Sequence, residues 1–205
     1  MKALKLIMVA LMLGVAQLMN AAAPSAAEVV RKASAKLKSL PGLQADFSIR
    51  HNAGVMDGSI LLSGNRFVVV TPEVSTWFDG KTQWAYSSAI GEVNVSEPTA
   101  EELAQINPLA IISSVQTGYD CRRLASPQGT DRLEFTPRKG DSDYQKIVIT
   151  LDSATLLPKA FDITTSDRNV MKITLGSVKE CTRPADDRFR FSPALYPGVE
   201  IVDLR

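Results

Sequence analysis

The sequence predicts a mainly β, α+β fold in a single domain, and three observations predict it. Short stretches of alternating apolar and polar residues recur from Leu43 to Val178, the period-two signature of half-buried strands. Turn-forming groups such as Ser63-Gly64-Asn65 and Asp79-Gly80 separate them at short spacing, as in antiparallel sandwiches and barrels. Helical patterning is confined to one stretch before the strands and one in their midst.

The chain of 205 residues opens on Met1-Lys2-Ala3-Leu4-Lys5, an uncharged apolar run from Leu6 to Met19, and Ala21-Ala22-Ala23. Charge, apolar core and small residues in that order read as a secretory signal peptide over residues 1–23, cut between Ala21 and Ala27. The apolar run is shorter than the ~20 residues a membrane-spanning helix needs. Residues 24–205 then form the one domain, with no lipid-attachment cysteine at the boundary.

Ser25 and Glu28 form a capping box. Val29, Ala33 and Leu37 recur every four residues behind it, and Pro41-Gly42 stops the helix. From Leu43 the period becomes two: Leu43, Ala45, Phe47 and Ile49 alternate with Gln44, Asp46, Ser48 and Arg50. Further strands are predicted at 59–62, 66–70, 75–78, 82–87 and 92–96, with Asp79-Gly80 turning a hairpin. Thr99 with Glu102 is a second capping box, and Asn107-Pro108 supplies an N-cap and a first-turn proline for a short, very apolar helix carrying Leu109, Ile111, Ile112 and Val115. Strands resume at 119–124, 132–136, 146–151, 159–165 and 170–178, and Phe189–Phe191 closes the series. About ten antiparallel strands result, with no repeat or linker dividing them.

Charge and residue type exclude several functions. Without Lys2 and Lys5, 21 basic side chains face 22 acidic ones, so nothing draws the protein to nucleic acid or to an anionic surface. His51 is the one histidine, which removes histidine-based triads and multi-histidine metal sites, and it reads as a surface residue at a strand end. Gly80-Lys81-Thr82 lacks the upstream glycine of a phosphate loop. The carboxylate pairs Glu101-Glu102 and Asp186-Asp187 read as solvated. No catalytic residue, metal or cofactor is expected. Cys121 and Cys181, the two cysteines, are a candidate disulfide in an oxidising compartment, with two buried thiols as the alternative. A bridge closing about 60 residues would stabilise by about 4 kcal/mol. The aromatic residues on strands and the apolar central helix fit either a packed core or the lining of a pocket for a fatty ligand.

Several stretches resemble the periplasmic outer-membrane lipoprotein carrier (LolA) family. Gly42-Leu43-Gln44-Ala45-Asp46-Phe47 is similar to that family's first strand, Asp79-Gly80-Lys81-Thr82-Gln83-Trp84-Ala85-Tyr86 to its central hairpin, and Asn107 to Ile112 to the start of its lid helix. Leu133 to Pro137 and Phe189 to Pro193, with Gly198-Val199, resemble its later strands and C-terminus. The resemblance implies an incomplete antiparallel β-barrel whose apolar concave face is covered by an N-terminal helix and short lid helices. It implies a soluble periplasmic carrier, not an enzyme, that takes lipoprotein acyl chains from an inner-membrane releasing transporter to an outer-membrane acceptor, as a monomer. On that basis Phe47, Phe67, Val69, Trp84 and Tyr86 are expected to line the barrel, and Leu109 and Ile112 to belong to the lid. A lipid-binding or sensing module of the same fold, and an envelope protein with a filled core, are the alternatives. One departure stands out. The family carries an Arg-Pro pair before the Phe strand, whose Arg latches the lid; here the stretch is Ser63-Gly64-Asn65, with Arg66 following. Either the latch is made differently or the handover differs.

Overall fold

The computed structural model describes residues 24–205 except positions 53, 100, 101, 104, 105 and 141. The predicted signal peptide lies outside them. No helix among the described residues is long and apolar enough to cross a membrane.

Helix α1 (Ala26–Ser39) begins where the capping box places it. Ser25 is its N-cap, and its hydroxyl accepts from the Glu28 N–H at 3.2 Å. Val29, Val30, Ala33 and Leu37 form its buried stripe, with Ser34 the polar member. Leu40-Pro41 ends it because a proline cannot continue the hydrogen-bond ladder.

The strands that follow are β1 (Gly42–His51), β2 (Gly54–Ser63), β3 (Arg66–Val70), β4 (Val74–Phe78), β5 (Gln83–Ser87) and β6 (Glu92–Ser96). An insertion intervenes, helical at Glu102, Leu103 and Ile106. It continues into a one-turn 3-10 helix (Pro108–Ala110) and helix α2 (Ile111–Ser114). Both N-terminal signals act as expected. Thr99 and Glu102 cap each other reciprocally, at 2.7 and 3.3 Å, and Asn107 Oδ1 accepts from the Leu109 N–H at 2.9 Å. Then come β7 (Tyr119–Leu124), β8 (Thr130–Pro137), β9 (Tyr144–Asp152), β10 (Pro158–Thr165), β11 (Val170–Cys181) and β12 (Glu200–Asp203).

All twelve lie in one sheet, in the order β12-β6-β5-β4-β3-β2-β1-β11-β10-β9-β8-β7. The two end strands do not pair, so the sheet curls without closing. This is the incomplete barrel expected. Every pairing is antiparallel except β12 with β6.

One expectation at the C-terminus, the strand over Phe189–Phe191, is corrected. Asp186–Phe189 is a one-turn 3-10 helix, not the start of a strand. Phe189 is buried beneath the Arg66 guanidinium, 4.5 Å above its ring, whereas Phe191 packs in a different cluster with Trp77. Asp186 is solvated as expected, its side chain largely exposed, and it also pairs with Arg66. The last strand is instead Glu200–Asp203, whose parallel partner is set by tertiary packing and has no hairpin signal.

The expected disulfide is also corrected, since both cysteines are free thiols. Cys121 lies on β7 and Cys181 on β11, four strand positions apart in the sheet, or roughly 19 Å along it at the usual strand spacing. A bridge needs Cα atoms within about 7 Å.

Candidate ligand site

The concave face is written by strand alternation. In β1, Leu43, Ala45 and Phe47 are buried while Gln44 and Asp46 are exposed. Cross-strand register extends that parity over the sheet. Leu133, Ile149, Phe161, Ile173 and Ile49 are successive partners across five strands. On the other flank Leu43, Leu62, Phe67 and Phe78 do the same. These rows share one apolar cluster with the buried face of α1 and with Leu109, Ile111, Ile112 and Val115.

Gly58 shapes the floor. It is the cross-strand partner of Phe47, and a Cβ there would stand 2.4 Å from Phe47 Cζ and 2.5 Å from the Val70 carbonyl oxygen. Only a residue without a side chain lets the ring lie across β2.

Of the residues named from sequence, Phe47, Phe67, Val69, Leu109 and Ile112 meet in this cluster, and Ile112 is fully buried. Trp84 and Tyr86 do not join them, which corrects the expectation that they share the concave lining. They lie on the opposite face with Trp77, Val93 and Val95, packed under Phe191, Tyr196 and Val199 of the C-terminal segment. Tyr86 and Tyr196 have ring centroids 4.8 Å apart. The reason is parity. Phe78 is paired with inward-facing Phe67, so Trp77 points outward, and so do its partner Trp84 and Tyr86 two residues on. That parity is present in Trp77-Phe78, one aromatic for each face. Phe135 and Phe161, both fully buried, join the concave cluster, as do Leu43, Ile60 and Ile147. Period-two counting along each strand finds them as readily as it found Phe47.

At the rim, between α1 and the helical insertion, a 430 Å³ cavity is lined by Leu37, Leu62, Phe67, Leu103, Leu109 and Ala110, with Lys38, Asn65, Asn107 and Ser113 as its polar edge. Ligand pockets span ~300–1,000 Å³, so it admits only a small ligand while the insertion stays down. Burying four apolar side chains holds the insertion there, at about 1.5–3 kcal/mol each before entropy is counted.

Polar fastening is sparse. Among the described residues, the side-chain hydrogen bonds that join the insertion to α1 all end on Ser34. Its hydroxyl shares a hydrogen bond with the Ser113 hydroxyl at 3.1 Å and accepts from Gln116 Nε2 at 2.9 Å. Arg66, near the place of the family's latch, turns elsewhere. It pairs with Asp186 of the C-terminal segment, and its guanidinium donates to Ser63 Oγ at 3.4 Å. Ser63 Oγ itself donates to the Pro41 carbonyl at 2.7 Å.

Residues 17–166 match the family described as outer membrane lipoprotein carrier protein LolA. The chain belongs to that family. A carrier from Vibrio campbellii, named outer-membrane lipoprotein carrier protein, is 26% identical over 176 residues, 80% of each chain. One of the same name from Neisseria gonorrhoeae is 25% identical over 127 residues. That second match takes in 60% of this chain and 58% of the relative's length. In fold, an uncharacterized conserved protein from Thermus thermophilus superposes with a TM-score of 0.59 at 12% identity, over 86% of this chain and 97% of that one. MucB superposes at 0.51 and 15% identity, over 82% and 62%. At such identities the structures speak for fold alone.

Proposed function

We propose that this protein is a periplasmic carrier that binds the acyl chains of lipoproteins released from the inner membrane and delivers them to the outer membrane. One observation carries the reading: an unclosed sheet presents an apolar concave face, closed by short apolar helices that α1 holds through a single polar joint among the described residues. The named relatives support it.

The physics of the cargo fits. Each exposed CH₂ costs ~0.8 kcal/mol in water, so three chains of over a dozen carbons would cost on the order of 30 kcal/mol. A carrier must cover them and still let go without an energy source of its own. Here the closed state fills the concave face with the protein's own helices. Chains enter only by displacing the insertion, so the net binding energy is the difference between ligand packing and lid packing. Such a carrier binds firmly enough to shield and loosely enough to yield to an acceptor. Phe47, Phe67 and Val69 then line the acyl site, and Leu109 and Ile112 move with the lid. A transporter in the inner membrane and an acceptor in the outer membrane are the partners this role requires.

The close packing of the concave face favours a second reading, an envelope protein with a filled core. Two measurements separate them: native mass spectrometry of protein purified without detergent, and titration with a fluorescent fatty-acid probe. A carrier retains acylated molecules and binds the probe saturably. No co-purifying acyl chains and no saturable binding would establish the filled core. Co-purifying lipids that are not lipoproteins would assign the same fold to a different ligand.

A further inference from the structure

We infer that Ser34, Ser113 and Gln116 form a head-group subsite that recognises the uncharged ester or amide carbonyls at the polar end of an acylated ligand. The inference rests on the carrier reading above and adds to it the chemistry by which the ligand's polar end is held.

Ser34 is the anomaly that points there. It lies in the buried stripe of α1 between Val30, Ala33 and Leu37, is only 3% exposed, and faces α2 rather than water. A hydroxyl in such a stripe costs stability unless it is hydrogen-bonded. Its partners are Ser113 and Gln116, both exposed on their outer side. Ser113 also lines the 430 Å³ cavity, whose other walls are largely apolar and carry no carboxylate. The cavity thus has an apolar interior, and of the three polar groups Ser113 reaches its lining, hydrogen-bonded there to Ser34, which in turn accepts from Gln116.

When the lid lifts, these groups lose one another. The Ser34 and Ser113 hydroxyls and the Gln116 amide then become free to bond to water or to a ligand. A molecule with an apolar chain and carbonyl acceptors at its head restores both losses, the chain against the concave face and the carbonyls against the joint. Hydroxyl and amide donors match neutral carbonyl oxygens. They supply no positive charge for a carboxylate or phosphate; the cation that lines the cavity is Lys38.

The test uses three probes with the same fluorescent acyl chain: a monoacylglycerol, the free fatty acid, and an alkyl chain without a head. The proteins are wild type, Ser113→Ala, and the Ser34→Ala/Ser113→Ala pair, with folding checked by unfolding midpoint. Ser113 is exposed and alanine favours helix at Ser34, so the variants fold. The wild type should prefer the ester over the alkyl probe by about fivefold, the worth of one net hydrogen bond, and the double variant should lose that preference. Easier lid opening changes the affinity of all three probes together and leaves the ratio unmoved, so an unchanged ratio overturns the subsite. A preference for the fatty acid that Lys38→Gln abolishes also overturns it, in favour of an anionic head. Failure of the wild type to bind any probe overturns the carrier reading itself, and the subsite with it.

Discussion

Phe47 and Gly58 face each other across β1 and β2 so closely that a single Cβ at Gly58 would lie 2.4 Å from the Phe47 ring. The same Cβ would meet the Val70 carbonyl oxygen at 2.5 Å. A ring can swing aside, but a backbone oxygen held in a sheet cannot do so cheaply. Gly58→Ala should therefore destabilise the protein by about 1–3 kcal/mol, the usual range for overpacking, read as a lower urea midpoint. Adding Phe47→Leu relieves only the ring contact, so the double variant should recover part of the loss. Full recovery would mean that the backbone contact costs nothing.

Ile112 is fully buried, yet the insertion that carries it closes the sheet without being part of it. If the insertion can undock, the cost of a bad residue there is capped by the cost of undocking. Ile112→Glu should leave the cooperative unfolding of the sheet in place and make residues 99–118 sensitive to protease. Ile112→Ala should bind an acyl probe more weakly and release it faster. A loss of global stability of about 3 kcal/mol or more in both variants, the size of a core truncation, would make Ile112 ordinary core.

Thiol counting on the denatured, unreduced protein should find two reactive thiols, since neither cysteine is bridged. In the native state burial pushes the Cys121 thiol up to about 11, so it should react slowly at neutral pH and faster as the pH approaches that value. A count of zero would show a disulfide that rearranges the β7 end of the sheet.

The C-terminal segment is tied down by two carboxylates that acid removes. At Asp79 burial opposes the charge, but the backbone N–H groups of Thr82 and Lys81 and the Arg190 guanidinium outweigh it and hold the carboxyl below its usual range. The hydrogen bond and charge of Arg66 lower Asp186 likewise. Both pKa values are depressed in the folded state. Their contribution is therefore complete above the unfolded pKa of about 4 and is lost as the pH falls through the folded values. Acid should loosen residues 186–196 and expose Trp77, which packs edge-on against Phe191 and Tyr196. Tryptophan emission should shift to the red below about pH 4, and Asp79→Asn should show part of that shift already at neutral pH. Emission that is flat to the acid unfolding point would remove these pairs as the fastening.

Much of this protein is decided locally and is legible in the chain. Ser25 with Glu28, Thr99 with Glu102, and Asn107 with Pro108 each place a helix start, because a cap is made between residues only a few positions apart. Alternation from Leu43 to Ile49 determines which side chains face inward, and family resemblance carries that pattern to an incomplete barrel under a lid. What it does not determine is how faces combine. Trp84 and Tyr86 are strand aromatics like Phe47 and Phe67, and only the register of β4 with β5, carried from β3, turns them to the outer face. Cys121 and Cys181 are two residues in a list until the sheet order sets four strand positions between them. Ser34 is one more small residue on a helix until packing brings Ser113 and Gln116 to it from some eighty positions away. Each of these depends on long-range pairing, whose partners no window of neighbouring residues contains, and so the tertiary structure alone decided them.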